Sequence, residues 1–162
     1  MPKETPFMVS ACLLGIGCRY DGGHALCRDL ADFVRSRWFI PFCPEQLGGL
    51  STPRPAATIQ GGDGRSVLEG EGRVVDETGN DLSDAFRKGA RESLKLAEMA
   101  GVRVAVVKDR SPSCGPVTPH CDMPSGSGMG VTAALFQSKG IGLVELGAGF
   151  QFPPREFLDL YT

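Results

Sequence analysis

Three apolar runs in this chain each lead into a cysteine, and no other feature constrains the fold as strongly. Residues 7–11 run into Cys12, residues 38–42 into Cys43, and residues 102–107 into the polar loop Lys108-Asp109-Arg110-Ser111-Pro112-Ser113-Cys114-Gly115. Short apolar runs bounded by turn residues read as buried strands. Parallel strands would bring their carboxyl ends to one rim, where open α/β sheets bind ligands. Three thiols at three strand ends therefore point to one shared site.

The intervening segments suit crossover connections. Leu30, Phe33 and Val34 recur at helical spacing within residues 29–37. A stronger stripe of Leu82, Phe86, Ala90, Leu94, Ala97 and Met99 predicts the longest helix, opened near Asp81 and stopped at Gly101. The first strand is expected over residues 7–14, a further helix over 133–137 and a fourth strand over 141–146. Within the glycine-rich stretch from Ala57 to Asp81, residues 67–69 and 74–76 around Gly70-Glu71-Gly72 predict a small hairpin. Strands alternating with helices imply parallel pairing through right-handed crossovers. The expected fold is α/β: a single Rossmann-like three-layer domain over residues 1–162, with a mostly parallel sheet and a small hairpin insertion. A chain of 162 residues with 41% hydrophobic content has enough apolar material for one core.

Charge narrows the partners. The 17 basic and 19 acidic residues are interleaved, with a net charge of -2, and form no patch for nucleic acid or anionic lipid. No apolar run is long enough to span a bilayer, and residues 1–6 lack the layout of a signal peptide. The expected partner is thus a small molecule, with no nucleic acid and no membrane, and the expected location is cytoplasmic. There, six cysteines favour metal ligation or catalysis over a disulfide framework. No Cys-x-x-Cys spacing supports a thioredoxin-like or zinc-ribbon reading. Glycines beside the thiols, at Gly15, Gly17, Gly48, Gly49 and Gly115, are expected to leave room for a bulky inorganic cluster. A cubane four-iron cluster normally takes four thiolates, so three would leave one iron open to substrate. On spacing alone, Cys12, Cys43 and Cys114 as small buried hydrophobes are the competing account.

Five blocks carry a family resemblance. Val9-Ser10-Ala11-Cys12-Leu13-Leu14-Gly15, Cys18-Arg19-Tyr20-Asp21-Gly22, Cys43-Pro44-Glu45-Gln46-Leu47-Gly48-Gly49, Ser111-Pro112-Ser113-Cys114-Gly115 and Gly128-Met129-Gly130-Val131-Thr132-Ala133-Ala134-Leu135 resemble, in order, the bacterial thiouracil desulfidases. The resemblance implies a small α/β enzyme with a [4Fe-4S] cluster on Cys12, Cys43 and Cys114. It also implies conversion of 2-thiouracil, or a similar thiolated nucleobase, to uracil and hydrosulfide without net electron transfer. The substrate sulfur would be bound by the open fourth iron. Glu45 matches the family's proposed acid/base, and Ser111 a serine placed near the substrate. The alternative class is a non-catalytic iron-sulfur or zinc protein acting as a redox or metal sensor or a sulfur carrier. Glu45 and Ser111 beside an open iron favour the enzyme.

The remaining candidates have plainer readings. Cys18 is expected under its turn rather than on the cluster, and Cys27 and Cys121 as free thiols. His24 and His120 read as surface or loop residues, and Arg19 and Arg54 as surface guanidiniums or contacts to an anionic part of a substrate. Residues 116–123 depart from the family pattern, so substrate choice is expected to be sought there.

Overall fold

The computed structural model describes residues 4–147 and 150–161. Among these, six strands, β1 (Phe7–Ser10), β2 (Phe39–Phe42), β3 (Ala57–Gln60), β4 (Arg73–Asp76), β5 (Val104–Lys108) and β6 (Gly142–Leu146), accompany six helices. The helices are α1 (Arg28–Val34), α2 (Pro44–Leu47), α3 (Gly64–Leu68), α4 (Ser83–Ala100), α5 (Val131–Ser138) and α6 (Arg155–Tyr161).

Four strands form the central sheet in the order β2-β1-β5-β6, and every neighbouring pair is parallel. Met8 and Val9 pair with Ala105 and Val106 across the centre. The chain leaves β1 for β2 on one side, and β5 later occupies the other. The order therefore reverses between β1 and β5, and at such a switch point the loops diverge to leave a crevice beyond the carboxyl ends.

Alternation along the strands sorts the core into two faces. Phe7, Val9, Val104, Val106 and Val144 share one face with Leu30 and Val34 of α1 and Phe157 of α6. Met8, Ala105 and Val107 share the other with Ala97 of α4 and Phe136 of α5. This is the expected three-layer arrangement. Phe157 is fully buried, its ring 5.2 Å from that of Phe7, and burial of such a side chain contributes about 1.5–3 kcal/mol. The sequence reading did not anticipate α6, a short helix that follows Pro153 and Pro154.

Three local expectations are corrected. Strand β1 ends at Ser10, and residues 11–14 form a 3-10 turn closed by Gly15 in the left-handed conformation (φ 89°). Ala11, Cys12 and Leu13 are all buried, so the apolar run shows no alternation that would separate a strand from a buried helical turn. Second, β4 pairs antiparallel with β3, matching Ala57 to Asp76 and Gln60 to Arg73, while Val67 and Leu68 lie in α3. Asp63 starts α3 by accepting the Arg65 N–H at 3.0 Å, and Val67 turns into the core. The hairpin packs Ile59 and Val74 against Phe86 and Ala90 of α4 and Val131 of α5. Third, Met99 is 85% exposed. It stands two residues beyond buried Ala97, which is about 200° around a helix.

No helix among the described residues is long and apolar enough to cross a membrane.

Candidate active site

The loops beyond β1, β2 and β5, together with the β3–β4 hairpin, surround a cavity of about 730 Å³ whose lining includes Cys12, Cys18, Cys43, Cys114, Glu45 and Ser111. Cys12 sits on the 3-10 turn after β1. Cys43 follows β2 directly and starts α2, with Pro44 at the first helical position, where its fixed φ suits the entry. Glu45 comes one residue later and so shares that end of the cavity.

Helix α2 is seated by close backbone contact with α4. A Cβ on Gly89 would lie 1.9 Å from the Pro44 carbonyl oxygen, and one on Gly48 2.1 Å from that of Ala85. A Cβ on Gly115 would meet the Ser111 backbone nitrogen at 2.7 Å. Gly48 and Gly115 thus permit backbone packing, which replaces the expectation that they make room for a cluster.

Cys114 is held from two directions. The first amides of α5 have no partners inside their own helix. The Pro112 carbonyl accepts from Val131 at 2.9 Å, and that of Ser113 accepts from Thr132 and Ala133 at 2.8 and 3.1 Å. From the sheet, Ser10 Oγ donates to Cys114 Sγ at 3.3 Å and accepts the Lys108 N–H at 3.0 Å. Ser10 thereby bridges β1 and β5 at the switch point, a role absent from the sequence reading.

Cys18 also belongs to this cavity. Its thiol neighbours those of Cys12 and Cys43, and Cys43 Sγ donates to the Cys18 carbonyl oxygen at 3.8 Å. The Cys12 contact, opposed by Cys43 and reinforced by burial, pushes the Cys18 thiol up to about 11. The Cys18 contact and burial likewise raise Cys43, and burial raises Cys114. Crowded thiols therefore resist ionisation, a tendency that a bound metal centre reverses. Among the described residues no three His, Cys, Asp or Glu side chains are grouped to hold a single metal ion. Thiols spread over separate loops around a large cavity fit a multi-iron cluster better.

Glu45 stands in a polar network. Its Oε1 accepts from Arg54 Nε at 3.0 Å and its Oε2 from Ser113 Oγ at 2.9 Å. Arg54 also donates to the carbonyls of Ser51 and Cys18, at 3.2 and 2.9 Å, and to Thr52 Oγ1 at 3.0 Å. With its side chain 5% exposed, Arg54 is a buried brace that also lines the cavity, which corrects the surface reading. Ser111 Oγ lies 3.0 Å from Ser113 Oγ, so Ser113 joins the two residues expected to act on the substrate. Sequence reasoning misses Ser113 although it stands two residues after Ser111 in the same block.

With this geometry in view, comparison with known proteins is informative. The 2-thiouracil desulfurase family profile matches residues 7–146. This chain belongs to the 2-thiouracil desulfurase family. The match runs from β1 to the end of β6 and contains every cavity thiol. Among the proteins it resembles is the uncharacterized protein YbbK of Bacillus subtilis (strain 168), 40% identical over 136 residues, or 82% of this chain and 90% of the relative. A solved structure, that of the [4Fe-4S]-dependent thiouracil desulfidase TudS, superposes with a TM-score of 0.73 at 38% identity, covering 88% of this chain and 91% of that one.

Around the family site, Arg19, Tyr20, Lys108 and His120 also line the cavity. His120 brings the 116–123 segment to its wall. Lys108 Nζ is paired with the Asp109 carboxylate and also donates to the Asp109 carbonyl at 3.1 Å. His24 lies outside, its exposed Nδ1 accepting the Leu26 N–H at 3.2 Å. Cys27 and Cys121 are free thiols that do not line the cavity.

Proposed function

We propose that this chain holds a [4Fe-4S] cluster on Cys12, Cys43 and Cys114 and desulfurates a thiolated pyrimidine. A 2-thiouracil-like base would become uracil and hydrosulfide without net electron transfer. The observation that carries this reading is the convergence of the three thiols on a cavity whose wall also presents Glu45 and Ser111. Family membership and the 38% identity to a [4Fe-4S]-dependent thiouracil desulfidase support it.

When bound, the cluster supplies a Lewis-acidic iron for the thiocarbonyl sulfur. The protein supplies the proton chemistry. Glu45, held by Arg54 on one oxygen, takes a proton from water attacking the thiocarbonyl carbon and later returns it. Ser111 stands at the cavity wall where the ring is oriented. Its Oγ accepts N–H groups from Ser113 and Cys114, both at 3.2 Å, so the hydroxyl is fixed before substrate arrives. Unpaired thiols of this kind suit a cytoplasmic setting.

Anaerobic reconstitution with iron and sulfide tests the cofactor. An iron-sulfur absorption band with about four irons per chain is expected. Zinc or no metal in a native anaerobic preparation, together with no cluster on reconstitution, would contradict the reading.

A further inference from the structure

The hydrogen bonds beside the cavity form a chain with a fixed direction. A carboxylate oxygen only accepts, so Ser113 Oγ donates to Glu45 Oε2 in their 2.9 Å contact. A hydroxyl carries one proton, so Ser111 must donate to Ser113 in the 3.0 Å contact between their oxygens. At one end, the amides of Ser113 and Cys114 point at Ser111 Oγ. At the other, Arg54 fixes Glu45 through Oε1. Ser113 itself is 2% exposed and its carbonyl is bonded to the start of α5, so its hydroxyl has little freedom to leave the chain.

We propose that Ser113 is a positioning residue for the desulfuration, carrying a proton between Ser111 at the substrate and Glu45; this rests on the desulfidase reading above. The step balances without an oxidant. As water attacks the thiocarbonyl carbon, it takes the place of one of the two 3.2 Å amide donors on Ser111 Oγ and passes a proton there, while the Ser111 proton moves to Ser113 Oγ and the Ser113 proton to Glu45 Oε2. A carbon–oxygen bond forms, both serines remain neutral hydroxyls and Glu45 becomes protonated. The reverse shifts deliver that proton to sulfur as the carbon–sulfur bond breaks. Hydrosulfide leaves, the carbonyl forms and the second water proton goes to solvent.

The test compares anaerobically reconstituted wild type, Ser113→Ala and Ser113→Thr. In Ser113→Ala, iron per chain and the dissociation constant for 2-thiouracil should match wild type. Its kcat should fall about 100-fold, the scale of one lost proton-transfer group, and the solvent deuterium isotope effect on kcat should grow. Ser113→Thr keeps the hydroxyl and should recover most of the rate. An unchanged kcat in Ser113→Ala, or a loss that tracks its iron content, overturns the relay. If the threonine variant does not fold, an unchanged isotope effect in Ser113→Ala overturns it. Wild type with an intact cluster and no sulfide release overturns the desulfidase reading and the relay with it. Equal activity in wild type and Ser113→Ala overturns the relay alone.

Discussion

Arg54 Nε lies 3.0 Å from Glu45 Oε1, and the two side chains are only 5% and 14% exposed. The pair ties the proposed base to the loop after α2 and, through the Cys18 carbonyl, to the thiol cluster. Removing one member of a buried pair leaves an uncompensated charge at a cost of about 3–5 kcal/mol. Arg54→Met should therefore lower the unfolding free energy of the cluster-free protein, read from its urea titration, by an amount on that scale, with a lower midpoint. Arg54→Met combined with Glu45→Leu should recover part of the loss. A midpoint unchanged in the single variant would show that the pair contributes nothing to stability.

Glu45→Gln keeps the size of the side chain and removes its negative charge. Sulfide release from 2-thiouracil should fall about 100-fold or more, with iron per chain unchanged. Full turnover by this variant with an intact cluster would mean that Glu45 is not the base.

The four cavity thiols should separate by their effect on iron. Cys12→Ser, Cys43→Ser and Cys114→Ser should each bind less iron and lose the visible absorption band on anaerobic reconstitution. Cys18→Ser should retain both. If Cys18→Ser loses iron as severely as the others, the ligand assignment is wrong.

Much of this architecture was legible because it rests on local periodicity. Val104 and Val106 face one way and Ala105 and Val107 the other, and Phe86, Ala90 and Ala97 recur along α4 at helical intervals. Strand β3 was hidden because Ile59 is its only fully buried residue, with Thr58 and Gln60 exposed beside it. The supporting shell of the site was harder still. Ser10 meets Cys114 across 104 residues and Ser113 meets Glu45 across 68. A polar residue beside an apolar run carries no sign of so distant a partner. Arg54 looked like a surface charge although Glu45, Ser51 and Thr52 are close in sequence, because only the fold brings the Cys18 carbonyl, 36 residues away, onto its guanidinium.

Stability of the cluster-free protein should depend on alkaline pH. The Cys12 contact, with burial, lifts folded Cys18 to about 11, whereas an unfolded cysteine ionises near about 8.5. Between those values the folded state binds more protons. The contribution from Cys18 is thus full below the unfolded value and is lost as pH rises through the folded one. Urea midpoints should fall across that window, and less steeply in Cys18→Ala. Equal pH dependence in wild type and Cys18→Ala would contradict the assignment.

The most direct measurement is a product balance. Anaerobically reconstituted protein, supplied with 2-thiouracil and no reductant, should release uracil and sulfide in equal amounts over many turnovers. An intact cluster that releases no sulfide from thiolated pyrimidines, or releases it only when a reductant is added, would contradict non-redox desulfuration at this site.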